Sequence, residues 1–333
     1  MYNNRSRYQN TLTWSTTRIT LLEYCNKKYF FNYYAHSLRE IDEKVRLDAL
    51  LLKNLKSLDM RMGEKTHHLL SDYLKALRRG EITDEKIQEL KDVIIDEMKK
   101  EFEISKNRDY SLGYNKDVKF GLSEHFYGED IDDRLEKSIQ KVTGNLDAFI
   151  ESEWNQKVQH YFKNAKTVFV ESPREKDFES MKLRMYHIPE LKNINVMASP
   201  DFGVIFDEKK YLIIDWKSGQ EKMDDEISDQ IKIYALKLIL KGDINMDTAE
   251  VEGYEVFLPS MKQVGGKLTK MDIDGIIEKL KEDVEFQKQF LVDGDVVKNE
   301  PLPHTSFPRT KSCKKCATCT FRKVCLDELK AIE

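Results

Sequence analysis

Residues 197–219 read MASPDFGVIFDEKKYLIIDWKSG, and this stretch decides the fold. It holds Pro200-Asp201, an apolar run, a short polar turn, a second apolar run and then Asp215-Trp216-Lys217. Two β-rich runs around a polar turn predict a β-hairpin. Asp215 and Lys217 are two apart in a strand and share a face, while Trp216 points the other way. Two carboxylates and a lysine at the ends of such a hairpin suit a hard divalent cation beside a phosphodiester. Mg2+ and Mn2+ prefer oxygen ligands. Such an ion acidifies water and offsets charge on a phosphate, and a nearby lysine orients the water or stabilises developing charge.

Register adds a geometric demand. With a turn at Asp207–Lys210 and Phe206 opposite Tyr211, Asp201 falls opposite Trp216, on the wrong face. Sharing one ion with Asp215 then requires an odd loop length, a bulge or a bend near Pro200.

Working outward, the first half reads as largely helical. Ser15–Tyr34 is predicted as a helix with Ser15 or Thr16 as N-cap, Met60–Leu77 as a second, and Asp84–Phe102 as a charged third behind Thr83. Residues 104–128 are turn-rich and aromatic, and Ile131–Phe162 reads as one long helix or a broken pair. Strands are expected at Thr167–Glu171, Val196–Phe206, Tyr211–Asp215 and Ala249–Leu258, with helices at Asp229–Leu240 and Met271–Leu291. The order predicts an α/β core carrying a mostly helical insertion. We divide the chain into 1–79, an insertion at 80–165, and 166–333. The insertion carries no readable motif.

The chain has 333 residues, 34% of them charged, a net charge of −4 and a mean hydropathy of −0.62. No apolar run approaches the about 20 residues of a membrane span, and the N-terminal segment lacks a signal-peptide core, so a cytoplasmic protein is expected. Charge is uneven. Met1–Leu22 and Pro301–Cys325 contain no acid, the latter with Arg309, Lys311, Lys314, Lys315, Arg322 and Lys323. These ends can form an anion-attracting face or simply solvated tails.

There are five cysteines: Cys25, Cys313, Cys316, Cys319 and Cys325. A reducing compartment gives little reason for structural disulfides. Cys316, Cys319 and Cys325 supply three thiolates, and a soft-metal site takes four. From coordination chemistry alone the fourth is Cys25 or Cys313, and the occupant is zinc or an iron–sulfur cluster.

Taken together, these segments resemble the PD-(D/E)XK nuclease superfamily, specifically its RecB-like branch, similar to CRISPR-adaptation exonucleases and the nuclease domains of RecB/AddB-type proteins. Pro200-Asp201 and Asp215-Trp216-Lys217, followed by Ser218-Gly219, match the two defining motifs. Gly63 to His67 resembles the G-x-x-x-H helix, and Gln230 with Tyr234 the Q-x-x-x-Y helix, whose pair reaches one side of the helix. Ala198-Ser199 stands before Pro200-Asp201 where many members carry glycine. The resemblance implies a restriction-endonuclease-like fold, a mixed central sheet flanked by helices with a large helical insertion. It implies Mg2+ or Mn2+ held by His67, Asp201 and Asp215, assistance from Lys217, and substrate positioning by Gln230 and Tyr234, with a weaker role for Glu171. His68 lies about 100° around the helix from His67 and fits the Gly63 spacing less well. His36, His125, His160, His187 and His304 match no motif.

Ser15–Tyr34 further resembles the RecB-like opening around a cysteine, with Asn26 replacing the usual proline. Cys316–Cys325 resembles the closing half, with Thr320 replacing another. The resemblance thus implies a [4Fe–4S] cluster on Cys25, Cys316, Cys319 and Cys325, with zinc as the lesser alternative and Cys313 spare. A tie between residues 25 and 316 would close a very long loop.

The activity implied is a metal-dependent deoxyribonuclease, an exonuclease acting on single-stranded or frayed DNA ends. Trp14, Tyr29 and Phe30 are stacking candidates, though core packing is their commoner use. A non-enzymatic reading, a DNA-binding or scaffold subunit of a repair, CRISPR or defence complex, is opposed by the full His67, Asp201, Asp215 and Lys217 set. An RNA nuclease is opposed only by the resemblance. There is no Walker loop, so any helicase or ATPase partner is a separate chain.

Overall fold

Strand and helix signals resolve into a mixed α/β architecture in the computed structural model, which describes residues 11–109, 121–174, 181–207, 209–221, 226–241, 245–258 and 260–330. The chain divides into two compact units. One comprises Asn54–Asp177 and Ser199–Ile273; the other comprises Met1–Lys53, Phe178–Ala198 and Asp274–Glu333.

The first of these units is built on a five-stranded sheet. Its strands are β2 (Thr167–Val170), β5 (Phe202–Ile205), β6 (Lys210–Lys217), β7 (Glu250–Phe257) and β8 (Lys262–Leu268), hydrogen-bonded in that order. Only the β6–β7 pair is parallel, and α9 (Asp229–Leu240) makes the connection such a pair needs. Four further helices of this unit are α4 (Leu58–Arg79), α5 (Asp84–Lys106), α7 (Asp132–Glu151) and α8 (Glu153–Asn164); the short α6 (Ser123–Phe126) lies between α5 and α7. Each helix start has a chemical cause where the sequence offers one. Ser57 Oγ accepts from Met60 N at 3.2 Å, and Thr83 Oγ1 from Lys86 N at 3.2 Å. Gly80, at φ +71°, ends α4 in the left-handed conformation that glycine adopts without strain.

One sheet face carries Phe202, Leu212, Ile214 and Trp216, packed with Tyr73, Phe149, Trp154 and Val158 from the helices. Trp216 sits edge-on to Phe149 at 5.4 Å and to Trp154 at 5.9 Å. The alternation that buries Trp216 there turns Asp215 and Lys217 to the opposite face, toward α9. Gly253 makes room for that helix. A Cβ on it would lie 2.2 Å from Ile231 Cγ2.

The second unit holds a three-stranded sheet in which β4 (Asn195–Met197) is central, parallel to β1 (Thr13–Trp14) and antiparallel to β3 (Lys182–Arg184). Around it lie α1 (Thr16–Tyr24), α2 (Asn26–Tyr33), α3 (Glu43–Asn54), the Asp274–Lys288 part of α10 (Lys270–Lys288), α11 (Cys313–Ala317) and α12 (Arg322–Lys330). Long-range bonds tie its early and late segments. Trp14 Nε1 donates to Asp283 Oδ2 at 2.9 Å, and Tyr34 OH to Asn299 Oδ1 at 2.9 Å. Phe30 meets Phe307 at 4.8 Å, and Phe31 stacks on Phe321 at 5.7 Å.

Three sequence expectations are corrected. The helix expected at Ser15–Tyr34 is two helices, because Cys25 is extended (φ −168°, ψ 111°) between them. The strand expected at Val196–Phe206 is also two, β4 and β5, in different sheets. Pro200 has no N–H for a ladder, and the chain leaves one sheet before it and joins the other after it. Met271–Leu291 is helical only to Lys288. Ile131–Phe162 is the broken pair, parted at Ser152. Part of 104–128, residues 110–120, lies outside the described residues.

Candidate active site

The register decides whether Asp201 and Asp215 meet. Phe202 pairs with Ile214, Val204 with Leu212 and Ile205 with Tyr211, and Phe206 N donates to Lys210 O at 3.0 Å. Three residues, 207–209, therefore close the hairpin, one fewer than the regular reading assumed. Asp207 shapes that turn, its Oδ1 accepting from Lys209 N at 2.7 Å and Lys210 N at 2.9 Å. Continued one step, the register sets Asp201 opposite Asp215. The odd loop demanded on sequence grounds is present.

Each acid is then fixed by specific donors. Trp216 N donates to Asp201 Oδ2 at 2.8 Å, and His67 Nδ1, from α4, lies 3.4 Å from the same oxygen. Glu171 N donates to the backbone oxygen of Asp201 at 2.8 Å, and Ser199 Oγ reaches Glu171 Oε1 at 3.5 Å. α4 runs close to the end of β6 at Gly63. A Cβ there would sit 3.1 Å from Ser218 Oγ. Asp215 is 3% exposed. Its Oδ1 accepts from Gln230 Nε2 at 3.0 Å and Tyr234 OH at 3.3 Å, and its Oδ2 is ion-paired with Lys217 Nζ. Lys217 Nζ also donates to Gln230 Oε1 at 2.8 Å, and Gln230 Nε2 donates to Tyr234 OH. The i, i+4 spacing of Gln230 and Tyr234 on α9 puts both on one carboxylate.

The electrostatics follow from burial and proximity. Burial opposes charge on His67, but Asp201, Asp215 and Glu171 outweigh it and lift the imidazole to about 9. Burial opposes ionisation of Asp201, yet His67, the Trp216 N–H and Lys217 hold its carboxyl below the usual range. Asp215 is pushed up to about 6 by burial and by Asp201, with Lys217 and His67 pulling the other way. Burial disfavours the Lys217 ammonium, and Asp215, Glu255 and Asp201 more than restore it. Two buried acids side by side thus draw cationic charge from both neighbours.

The sequence motifs missed one residue. Glu255, in β7, is 2% exposed, pairs in register with Asp215, and sets Oε1 3.3 Å from Lys217 Nζ. Its only signal was an acid between two apolar-flanked positions near the buried end of EVEGYEVF, a strand that carries two other glutamates. His68 takes no part in this set; burial first, then Arg174, Lys65 and Arg61, press it down to about 4.

Among the described residues no three His, Cys, Asp or Glu side chains are grouped as a ready-made metal site. The oxygens of Asp201 and Asp215 are turned onto His67, Lys217, Gln230 and Tyr234. The donor set nevertheless suits a hard ion: two carboxylates in register, one kept ionised and the other held by partners it can exchange.

The cysteines belong to the other unit. Cys25, Cys316, Cys319 and Cys325 line one cavity of about 300 Å3, whereas Cys313 is exposed and does not line it. None of the five is in a disulfide. Thr310 N donates to Cys25 Sγ at 3.5 Å. Burial raises the Cys319 thiol, with Cys25 and Cys316 adding to the rise. Lys28 and Lys315 flank the Tyr24 ring at 5.3 and 4.4 Å, and all three line the cavity.

A mixed sheet that presents Pro-Asp and Asp-x-Lys on one face, with a Gln and Tyr behind them, defines a nuclease of the two-acid-and-lysine kind. The profile of the PD-(D/E)XK nuclease superfamily matches residues 13–326, so the chain belongs to that superfamily. No curated protein matches the chain. Membership implies nuclease activity on DNA, and the superfamily's enzymes typically use Mg2+ or Mn2+. Among the described residues no helix is long and apolar enough to cross a membrane.

Proposed function

We propose that this chain is a RecB-like Mg2+- or Mn2+-dependent exodeoxyribonuclease acting in the cytoplasm on single-stranded or frayed DNA ends. What supports this reading most is one hydrogen-bonded set, in which Asp215 binds Lys217, Gln230 and Tyr234 while Asp201 binds His67. His67, Asp201 and Asp215 would hold the divalent ion, which, when bound, supplies positive charge beside the scissile phosphate and acidifies water. Lys217 keeps its proton on Nζ and sets its positive charge beside the negative charge that builds on the phosphate as the P–O bond to water forms and the P–O bond to the leaving oxygen breaks. Gln230 fixes both partners at once, its Oε1 on Lys217 and its Nε2 on Asp215. Tyr234 holds its hydroxyl proton toward Asp215, since burial and the two acids raise its pKa well above the ordinary value. Residues 80–165 are read as the helical insertion between 1–79 and 166–333.

Cys25, Cys316, Cys319 and Cys325 would carry a [4Fe–4S] cluster, which supplies a covalent tie between the early and late segments of their unit. The support is their common cavity and the exclusion of Cys313 from it. Zinc is the lesser alternative. A separate helicase or ATPase chain is the partner this reading expects.

The test uses linear DNA labelled at one end, single- and double-stranded, beside circular DNA of the same sequence, with Mn2+, Mg2+ or EDTA. Metal-dependent shortening of linear single strands with circles intact is the expected result. Nicked circles would make the enzyme an endonuclease, and no cleavage of any strand would make the chain a silent DNA-binding subunit.

A further inference from the structure

Glu255 is an acid that no nuclease motif assigns, yet it is built into the centre. It stands opposite Asp215 in the parallel β6–β7 pairing, so the two side chains project from the same sheet face on adjacent strands. Adjacent strands lie about 4.8 Å apart, and like charges directly opposite destabilise a sheet. At 2% exposure Glu255 has little solvent to offset a charge, and a cation near both acids is one way to hold it. Lys217 does so, its Nζ ion-paired with Asp215 and 3.3 Å from Glu255 Oε1. With Gln230 Oε1 accepting at 2.8 Å, three side chains surround the ammonium group, one by hydrogen bond and two carboxylates by ion pair.

The acceptors differ in what else they can do. Asp215 is shared with the divalent ion in the nuclease reading, on which the present inference rests. Gln230 carries no charge. Glu255 is the charged acceptor that sits outside the motif acids.

We infer that Glu255 is a positioning residue for Lys217, anchoring the ammonium through Oε1 so that it stays in place when Asp215 turns its oxygens to a divalent ion. Glu255 does not touch the reacting atoms in this account; it acts through Lys217. A shell of this kind behind a reacting group is commonly worth 10- to 100-fold in activity.

The test compares the full-length wild-type chain with Glu255→Gln, which keeps shape and loses charge, and Glu255→Asp, which keeps charge on a shorter arm. Turnover on end-labelled DNA is measured across a Mn2+ titration, with Tm as the folding control. The expected result is a fall in kcat of roughly 10- to 100-fold for Glu255→Gln, partial recovery in Glu255→Asp, and a half-saturating Mn2+ and a KM for DNA within about threefold of wild type. In a Lys217→Met background, Glu255→Gln should cost nothing further, since the two act as a unit. An unchanged kcat in a folded Glu255→Gln overturns the inference. So does a loss that high Mn2+ restores, because Glu255 would then be a metal ligand. Should the wild-type chain cut no DNA, the nuclease reading itself falls. Crystal structures of wild type and Glu255→Gln soaked in Mn2+ then decide the positioning role: displacement of Lys217 Nζ only in the variant supports it, and an unmoved Nζ overturns it.

Discussion

At the acid–lysine site every buried charge has an opposite charge within reach: His67 on Asp201, and Lys217 between Asp215 and Glu255. The cysteine cavity is built the other way. Four thiol-bearing residues line one space of about 300 Å3, with cationic Lys28 and Lys315 at its wall. The first site holds its geometry by internal ion pairs, which on the nuclease reading a divalent ion would have to exchange. On the cluster reading proposed above, the second has donors whose mutual arrangement would depend on a guest, as is common where metal binding and folding are coupled. The contrast predicts that emptying the acid–lysine site leaves its unit folded, whereas depriving the cysteines of their guest loosens theirs.

Asp215→Asn gives the largest effect. Cleavage should fall by about 10²–10³-fold or more while Tm, measured in EDTA, stays near wild type, because Lys217 keeps Glu255 and Gln230. A collapse of Tm would erase the distinction between the sites. Cys25→Ser comes next. If the four cysteines hold the proposed cluster, its iron and brown colour should be lost and the melting transition lowered, whereas Cys313→Ser should leave all three as in wild type. Colour and iron surviving in Cys25→Ser would make Cys313 the ligand.

Gly253→Ala sharpens the comparison from the scaffold side. The added methyl would lie 2.2 Å from Ile231 Cγ2, so α9 must shift with Gln230 and Tyr234 on it. A loss of about 1–3 kcal/mol in a urea titration, with slower cleavage, is expected; unchanged activity would show that α9 placement is not critical.

The smallest effect is a titration shared by both units. His68 in one and His36 in the other are each pressed down to about 4 from 6.5, by burial first and then by neighbouring cations, Arg174 and Lys65 for His68 and Lys53 for His36. The unfolded chain then takes up these protons at higher pH than the folded one. The stability they contribute is complete above about 6.5 and is lost as pH falls toward 4. The Tm difference between pH 7 and pH 4.5 should therefore shrink in His68→Gln relative to wild type; an equal difference would remove His68 as a contributor.

Much of the site was legible because its residues sit at fixed local spacings. Asp215 and Lys217 share a face by strand alternation, and Gln230 and Tyr234 a side by helical period. The demand for an odd hairpin loop also followed from counting, and the 207–209 turn meets it. The partition of 196–206 between two sheets was not legible. Val196 and Phe202 look alike as apolar strand residues, and only pairing with β1 and β3 or with β2 and β6 separates them. β8, KQVGGKL, was overlooked because two glycines weaken a strand signal, yet Gly265 is required there: at φ +132°, a Cβ on it would lie 2.2 Å from Gly253 O. Glu255 was missed for the same reason as the sheet partition. Its meaning comes from the residue across the ladder, not from its neighbours in sequence.

The central claim is that Lys217, fixed between Asp215, Glu255 and Gln230, carries phosphodiester hydrolysis on a metal-dependent acid pair. The most direct measurement sets wild type beside Lys217→Ala on end-labelled single-stranded DNA, with Mn2+ and with EDTA, and records DNA binding in parallel. The account predicts cleavage by wild type in Mn2+ alone, and a Lys217→Ala protein that binds the strand but leaves it intact. Equal cleavage by both proteins, or cleavage that persists in EDTA, would contradict it.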